Sequence, residues 1–436
     1  MDLQTTDKIK KVYEKFIKYL KRSTLKERLK RNYYSESLVM WLMIFQRLQG
    51  ARSMSNLMVM MKDMPLKRLA GKRKMKETNT GSASSFAMAR SRLLLDVVIE
   101  LTDKLCEWML TEISTRDRWY VVDGSTFELM KSEELSEKYP PAECGYYPMM
   151  RGLICTEINS GITMRPEIGA LTGSKQAGEI QLFKKLINRL PKGSKLMGDR
   201  NFGIYTVAKL SQEQGLDVVL RLTEMRAKKI NGGKIPVRCV KDVIWYPSRD
   251  DLKANPELDG SESVSGKLIS TKVTDPNGKS VDLYVFTTLE VSEVDIIKIY
   301  QKRWRIEVDI KDIKKSMDMN FLRVKSEDMA LKELYLGICA YNLVREIIFV
   351  VTDKLKIDPR KIGFLRAKTV VEVYSMKLLR NHTRRKQRKI IKELYAEIQN
   401  CMLPNRKNKN RHEPRAVLRD KRSKYPTLKG NRNDYK

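Results

Sequence analysis

The stretch Trp119-Tyr-Val-Val-Asp-Gly124 decides the fold, because four residues that favour β-strands lead directly into an aspartate. The same arrangement returns in Ser194-Lys-Leu-Met-Gly-Asp199. Between them, residues 152–159 and 162–171 have strand composition on either side of a Ser-Gly turn, and residues 179–190 have helical periodicity. Strands followed by a strand–helix–strand passage predict a mixed α/β domain, whose first strand ends at the Asp-Gly turn signal.

The composition of the chain changes on both sides of this core and once within it. The N-terminal part is basic and apolar with helical spacing, which fits a DNA-binding domain or, alternatively, a helical domain that packs on its neighbour. A polar segment rich in Gly, Pro, Asp and Ser predicts an insertion with its own small sheet. The predicted organisation is a helical DNA end-binding domain (1–115), a catalytic core (116–222 and 281–352), a β-rich insertion (223–280) and a basic helical C-terminal region with a tail (353–436).

The charge balance indicates the class of partner. The chain of 436 residues has 86 Lys and Arg against 53 Asp and Glu, a net charge of +33. Such an excess attracts a polyanion, and nucleic acid is the commonest large one in cells. A membrane surface is the main rival, but no apolar run is long enough to span a bilayer and no basic amphipathic helix has a full apolar face.

The scarcity of histidine and the scatter of cysteine restrict the chemistry. The two histidines, His382 and His412, lie in basic C-terminal stretches, which argues against histidine-based catalysis. The six cysteines contain no C-x-x-C pair, so zinc-finger spacing is absent. Any chemistry must therefore rest on carboxylates.

Asp123 and Asp199 are candidate carboxylates, because each directly follows a short apolar strand. Two-metal phosphoryl transfer needs a few carboxylates from different elements around ions about 3.5–4 Å apart. Magnesium keeps several waters, so two or three carboxylates suffice. The alternatives are structural: an aspartate before glycine commonly makes a turn, and Asp199 could pair with Arg200 or cap a helix.

A third candidate, Glu307, lies on a helix predicted over residues 294–317. At about 100° per residue, the side chains of Tyr300, Arg303, Glu307 and Lys314 fall within roughly 60° of one another, beside a separate apolar stripe. One carboxylate flanked by phenol, guanidinium and ammonium groups suits a metal ligand surrounded by phosphate-binding donors. An exposed helix side with regularly spaced charges is the alternative.

These residues resemble a known family. Tyr300-x-x-Arg303-x-x-x-Glu307-x-x-x-x-x-x-Lys314 is similar to the YREK signature of DDE transposases of the bacterial insertion-sequence-four group, and the Asp123 and Asp199 blocks resemble the family's two aspartate blocks in the right order. The resemblance spans roughly residues 119–345. It implies an RNase H-like mixed-sheet core interrupted by a β-rich insertion, in which Asp123, Asp199 and Glu307 bind two Mg²⁺ ions, with Mn²⁺ as a substitute.

The resemblance also implies DNA contacts. Tyr300, Arg303 and Lys314 would contact phosphates or the displaced strand near the cut, and Arg200 is a further candidate. Trp245 could stack on a flipped base, although packing within a sheet is the alternative that its neighbours favour. The chain departs from the family pattern in two places: Asn201 stands where glycine is frequent, and residues 172–179 lack a histidine that relatives often carry.

The function implied is cut-and-paste transposition of an insertion sequence. The partners would be the terminal inverted repeats and target DNA, bound by a homodimer in the bacterial cytoplasm at the nucleoid, with no membrane partner. Two alternatives stay open, a catalytically silent or domesticated sequence-specific DNA-binding protein and an RNase H-like nuclease.

Overall fold

The computed structural model of the chain describes residues 3–22, 34–50, 53–61, 82–111, 113–142, 145–274, 280–381 and 383–404. Both histidines, Cys144 and the C-terminal tail beyond residue 404 lie outside these ranges. The sequence predictions made for them are therefore not compared with structure.

Helices form the N-terminal and C-terminal parts of the chain and alternate with strands between them. The helices are α1 (Leu3–Arg22), α2 (Glu36–Leu48), α3 (Met54–Met61), α4 (Ala83–Arg92), α5 (Leu95–Met109), α6 (Glu133–Lys138), α7 (Glu179–Leu186), α8 (Tyr205–Gln214), α9 (Glu224–Asn231), α10 (Arg249–Ala254), α11 (Glu293–Gln301), α12 (Arg305–Lys311), α13 (Glu327–Leu355), α14 (Phe364–Arg380) and α15 (Arg384–Gln399). The strands are β1 (Trp119–Leu129), β2 (Met149–Glu157), β3 (Glu167–Ala170), β4 (Lys195–Gly198), β5 (Asp217–Leu222), β6 (Cys239–Trp245), β7 (Val264–Thr274), β8 (Ser280–Thr287) and β9 (Phe321–Leu322).

The strands of the described residues form one mixed sheet in the order β3-β2-β1-β4-β5-β8-β7-β6, and β9 pairs with β1. β2 is antiparallel to β1 and β3, whereas β1, β4 and β5 are parallel. An RNase H-like core has this order and these directions in its first five strands. The predicted fold class, a mixed α/β core with a helical N-terminal region, is confirmed.

Two sequence predictions about strands are wrong. β1 does not end at Asp123-Gly124 but continues to Leu129, and Gly124 pairs with Leu153 of β2. The strands of residues 223–280 do not form a separate sheet. β7 pairs with β8 along its length and β8 pairs with β5, so β6 and β7 extend the central sheet instead.

The helix predicted over residues 294–317 is not regular. α11 leads through a 3₁₀ turn (Lys302–Trp304) into α12, which continues into a π-helix (Asp312–Ser316). Each change of helix type alters the rotation per residue, so the constant 100° step used for the sequence prediction does not apply across these residues. The π-helix matters most for Lys314, which lies within it.

Helices cover both faces of the sheet, because its side chains alternate between two cores. Val121 of β1 packs with Ile296 and Ile306 of the α11–α12 segment. Tyr120 and Val122 point to the other face, which belongs to the core that contains residues of α7 and α8. Residues of β1 an even number of positions from Val121 therefore face α11 and α12, and those an odd number away face α7 and α8.

The helix α13 forms the centre of the helical part of the molecule. It is long and apolar enough to cross a membrane, but 94% of its most apolar window is buried inside the protein, which is the pattern of a core helix. The N-terminal helices α1, α2 and α5 pack against it. Arg47 and Arg90 form ion pairs of 2.6 and 2.5 Å with Glu333 of α13, which ties the N-terminal helices to the centre of the fold.

Candidate active site

One edge of β1 has a gap in its pairing. The pairing with β4 ends at Val121, because β4 stops at Gly198, and the pairing with β9 begins at Glu128. We call residues 122–127 of β1 the edge gap. Groups from both faces of a sheet can meet at such a place, since no neighbouring strand separates them there.

Asp123 and Asp199 lie at the edge gap. Asp123 is two residues after Val121, so its side chain points to the face covered by α11 and α12. Asp199 directly follows the end of β4, and its Oδ1 accepts hydrogen bonds from the backbone N–H groups of Asn201 at 2.8 Å and Phe202 at 3.4 Å. This local turn fixes the carboxylate at the carboxyl end of the strand.

The charge of Asp199 acts on Asp123. Burial, and to a smaller extent the charge of Asp199, raise the pKa of the Asp123 carboxyl from its ordinary 3.8 to about 6. Arg303 opposes this rise, and the charge of Glu179 adds a little to it. The surroundings therefore disfavour the ionised form of Asp123, which a bound cation would favour.

Glu307 lies on α12, which packs against β1 and β2, but its carboxylate is turned towards Arg303. Arg303 Nη2 donates to Glu307 Oε1 at 3.1 Å, and the Glu307 side chain is 47% exposed. Among the described residues, no three acidic side chains lie close enough together to enclose one metal ion. The structure thus places Asp123 and Asp199 within electrostatic reach of each other, and Glu307 on the adjoining helix, where it pairs with Arg303.

The other residues of the predicted signature differ in burial. Tyr300 and Arg303 are buried, at 5% and 6% exposure, and among the described residues the Tyr300 Oη and Arg303 Nε atoms have no hydrogen-bond partner. Lys314 is half-buried beside Glu128, and burial lowers the pKa of its ammonium. Glu128 lies five residues beyond Asp123 on β1, just past the edge gap.

A buried ion cluster holds α12 from its other side. Asp309 accepts hydrogen bonds from Tyr341 Oη at 2.9 Å and Arg345 Nη2 at 2.8 Å, and it also pairs with Arg360. Asp309 is fully buried and lies two residues after Glu307. Its contacts fix the helix that carries Glu307, and the sequence analysis did not single it out.

The sequence prediction also missed Arg221. It lies on β5 two residues after Val219, so it points to the face covered by α11. Its guanidinium lies beside Tyr300 and near Arg200 and Arg303, and burial, together with the positive charges of these two arginines, lowers its pKa. Its position near the end of β5, next to the strand that precedes Asp199, was the sequence signal that could have identified it.

Arg200 and Trp245 have different surroundings. Arg200 is exposed beside Asp199, and its backbone carbonyl accepts a hydrogen bond from Arg226 Nη1 at 2.7 Å. Trp245 is 6% exposed and packs edge-on against Tyr205 and Phe286, with ring centroids 6.2 and 4.9 Å away. The packing alternative for Trp245 is the one that the structure shows.

The donor set of the site fits a hard divalent cation. The groups at the edge gap are carboxylates, which Mg²⁺ and Mn²⁺ prefer, and a cation would favour the ionised form of Asp123 that burial and the charge of Asp199 disfavour. Asp123 and Asp199 are the carboxylates that fit such an ion, whereas the Glu307 carboxylate is paired with Arg303 in this structure.

Comparison with known proteins identifies the family of the chain. The family described as "Transposase DDE domain" matches residues 115–343, which are more than half of the chain. A solved structure of the piggyBac transposase synaptic complex with hairpin DNA is similar at 12% identity and a TM-score of 0.43, over 90% of this chain and 83% of that one. No curated protein matches the chain in sequence. The chain belongs to the transposase DDE domain family, whose members use divalent metal ions, and it is a DNA transposase that cleaves DNA and transfers strands.

Proposed function

We propose that the chain excises and inserts an insertion sequence by two-metal hydrolysis and strand transfer, as in the insertion-sequence-four group with its YREK signature. Asp123, Asp199 and Glu307 would hold two Mg²⁺ ions, with Mn²⁺ able to substitute. The observation that supports the proposal is the position of Asp123 and Asp199 at the edge gap, where burial and then the charge of Asp199 raise the pKa of Asp123 to about 6.

The side chains of this site would divide the work of the reaction. When bound, the ions would supply polarisation of the attacking oxygen and stabilisation of the leaving oxygen. Asp199 is held rigidly by its turn, whereas the Glu307 carboxylate is half-exposed and able to rotate. Asp123 is ionised above pH about 6, so its ability to bind a cation would decline as the pH falls below that value.

The basic groups around the site would bind the DNA backbone. Arg200 is exposed beside Asp199, and Lys314 lies beside Glu128, just past the edge gap. Arg303 is buried under the site, so its role would be to neutralise charge close to the cut rather than to contact distant phosphates. The buried hydroxyl of Tyr300 has no hydrogen-bond partner among the described residues, so it would donate to a phosphate oxygen if DNA binding exposed it.

The remaining parts of the chain would bind and pair the DNA ends. The positive charge of +33 supports terminal inverted repeats and target DNA as partners. We propose that residues 1–115 bind the ends, that residues 223–280 form the insertion within the core (116–222 and 281–352), and that residues 353–436 are an accessory basic region. A homodimer in the bacterial cytoplasm would hold the two ends together.

An end-processing assay tests the proposal. A labelled fragment with a terminal repeat is incubated with protein and Mg²⁺, and cleavage and joining to a target plasmid are measured. Alanine at Asp123, Asp199 or Glu307 is expected to abolish both reactions while gel-shift binding of the end persists. Asp250→Ala, which changes an exposed carboxylate on α10, is the control.

Each alternative gives a different result in this assay. Cleavage without joining would favour an RNase H-like nuclease, and binding without either reaction in the wild-type protein would favour a silent or domesticated DNA-binding protein. Full cleavage by the Glu307→Ala protein would remove Glu307 from the ligand set.

A further inference from the structure

A fourth carboxylate, that of Glu179, lies against β1 next to Asp123. Glu179 is the first residue of α7, which follows β3. A Cβ atom built on Gly124 would lie 1.9 Å from Glu179 Oε1 and 2.6 Å from its Cδ. The carboxylate therefore occupies the space that any side chain at position 124 would need, which explains why a glycine lies in the middle of this strand.

Glu179 approaches the edge gap from the face opposite to Glu307. Gly124 has the same parity as Val122, so a side chain there would point to the core that contains Leu182 and Phe183 of α7. Glu307 comes from the α11–α12 side. Because β4 has ended at Gly198, no strand separates these two approaches beside Asp123.

The surroundings of Glu179 connect it to both aspartates. Burial raises the pKa of the Glu179 carboxyl; Arg151 opposes the rise, and the charge of Asp199 adds to it. The same carboxylate contributes to the raised pKa of Asp123. Glu179 is thus within electrostatic reach of the two residues that the proposed function places at the metal site.

Asn201 links Glu179 to Asp199. Its side chain lowers the pKa of the Glu179 carboxyl, and its backbone N–H donates to Asp199 Oδ1 at 2.8 Å. Arg151, the nearby cation, uses its Nη1 to donate to the backbone carbonyl of Ala177 at 3.0 Å. One residue of the Asp199 turn therefore favours the ionised form of the Glu179 carboxyl.

An ordinary role at a helix N-terminus explains only part of this arrangement. An acidic residue in a first turn gains about 0.3–1 kcal/mol from the helix dipole wherever its side chain points. Glu133, Glu224 and Glu293 occupy the same first position in α6, α9 and α11. The dipole does not account for a carboxylate placed on the backbone of the strand that bears Asp123.

We propose that Glu179 is a fourth carboxylate ligand of the divalent-cation site formed with Asp123 and Asp199. The inference rests on the proposed function, because it adds a ligand to that metal site. Glu179 is half-buried and its carboxylate lies against Gly124, so binding of the ion would require the carboxylate to turn from the strand backbone towards Asp123.

The test measures Mn²⁺ binding by the full-length protein without DNA, so that the result does not depend on activity. Free Mn²⁺ is followed by its electron paramagnetic resonance signal, with calorimetry as a second measurement. Glu179→Gln keeps the shape of the side chain and is expected to weaken Mn²⁺ binding about 10–100-fold, the range seen when groups that support a metal site are removed. Glu293→Gln changes a half-buried glutamate at the same helix position and is expected to leave binding within about twofold of wild type.

A second variant tests the contact itself. Gly124→Ala puts a methyl group where Glu179 Oε1 lies, so it displaces the carboxylate from β1 and is expected to change Mn²⁺ affinity only while Glu179 is present. The two changes together should therefore give the affinity of Glu179→Gln alone, because that variant lacks the carboxylate through which Gly124→Ala acts. Circular dichroism and the thermal midpoint in chelator establish that each variant is folded.

The outcomes separate the two levels of the argument. Wild-type affinity in Glu179→Gln, together with lost affinity in Asp123→Asn, would overturn the role of Glu179 and leave the proposed metal site intact. Wild-type affinity in Asp123→Asn as well would overturn the proposed site itself. Additive losses in the double variant would show that Gly124 acts independently of Glu179, and would also overturn the inference.

Discussion

Replacing Asp123 with asparagine is expected to stabilise the metal-free protein while abolishing DNA cleavage. Burial and the neighbouring acidic groups raise the pKa of Asp123 from 3.8 to about 6, so its ionised form is disfavoured in the folded chain. A change of about two pKa units corresponds to about 3 kcal/mol. Solvent reaches this half-buried carboxyl and screens part of the effect, which leaves about 1–2 kcal/mol for the free energy of unfolding.

The sign of the pH dependence follows from the direction of the shift. Between pH about 4 and 6 the folded chain binds a proton at Asp123 that the unfolded chain has released, so the free energy of unfolding falls as the pH rises. The destabilisation is fully present above pH about 6 and absent below pH about 4. The advantage of Asp123→Asn should therefore appear at pH 7.5 and vanish near pH 4.

Thermal unfolding in chelator measures this prediction directly. A gain of 1–2 kcal/mol would raise the midpoint by roughly 3–6 °C if the core unfolds as a unit of 150–250 residues. Added Mg²⁺ should raise the midpoint of the wild-type protein and change that of the variant less, because a ligand stabilises only the folded state that binds it. A variant that unfolds at or below the wild-type midpoint at pH 7.5, or keeps its advantage at pH 4, would refute the reasoning.

Three further substitutions test the parts that position the site. Gly203→Ala should lower the free energy of unfolding by about 1–3 kcal/mol in urea titrations, because the new Cβ would lie 1.9 Å from a backbone carbonyl oxygen of β5. Asp309→Ala should lower it by about 3–5 kcal/mol, since it leaves Arg345 buried without this partner; a smaller loss would contradict the proposed anchoring of α12. Arg303→Gln should bind Mn²⁺ several-fold more tightly, because it frees Glu307 and removes a positive charge, but it should cleave DNA more slowly. An Mn²⁺ affinity equal to that of the wild type would show that the Arg303–Glu307 ion pair does not limit metal binding.

The position of Asp199 was predictable from local pattern, because a short apolar strand ends directly before it. Asp123 was a candidate for a reason that proved wrong: β1 continues past it to Leu129, and Asp123 lies at an unpaired edge because β4 ends at Gly198. The regular helix face around Glu307 was predictable only in part. The 3₁₀ turn and the π-helix depend on how this segment packs between β1 and α13, so the sequence alone did not indicate that Lys314 lies beside Glu128, away from Asp123.

The role of Gly124 and Glu179 was hidden for a different physical reason. Asp-Gly is a turn signal when only neighbouring residues are considered, and a glutamate at a helix N-terminus is common. Their contact joins α7 to β1 across many intervening residues, so no local pattern contains it. The two departures from the family pattern meet at this point. Asn201 supplies an amide where glycine is frequent, and residues 172–179, which lack the histidine, end at Glu179, whose pKa that amide lowers. Asn201→Gly would remove this amide, and we expect it to lower Mn²⁺ affinity in the wild-type background. If Asn201→Gly has no such effect in the Glu179→Gln background, the two departures compensate each other.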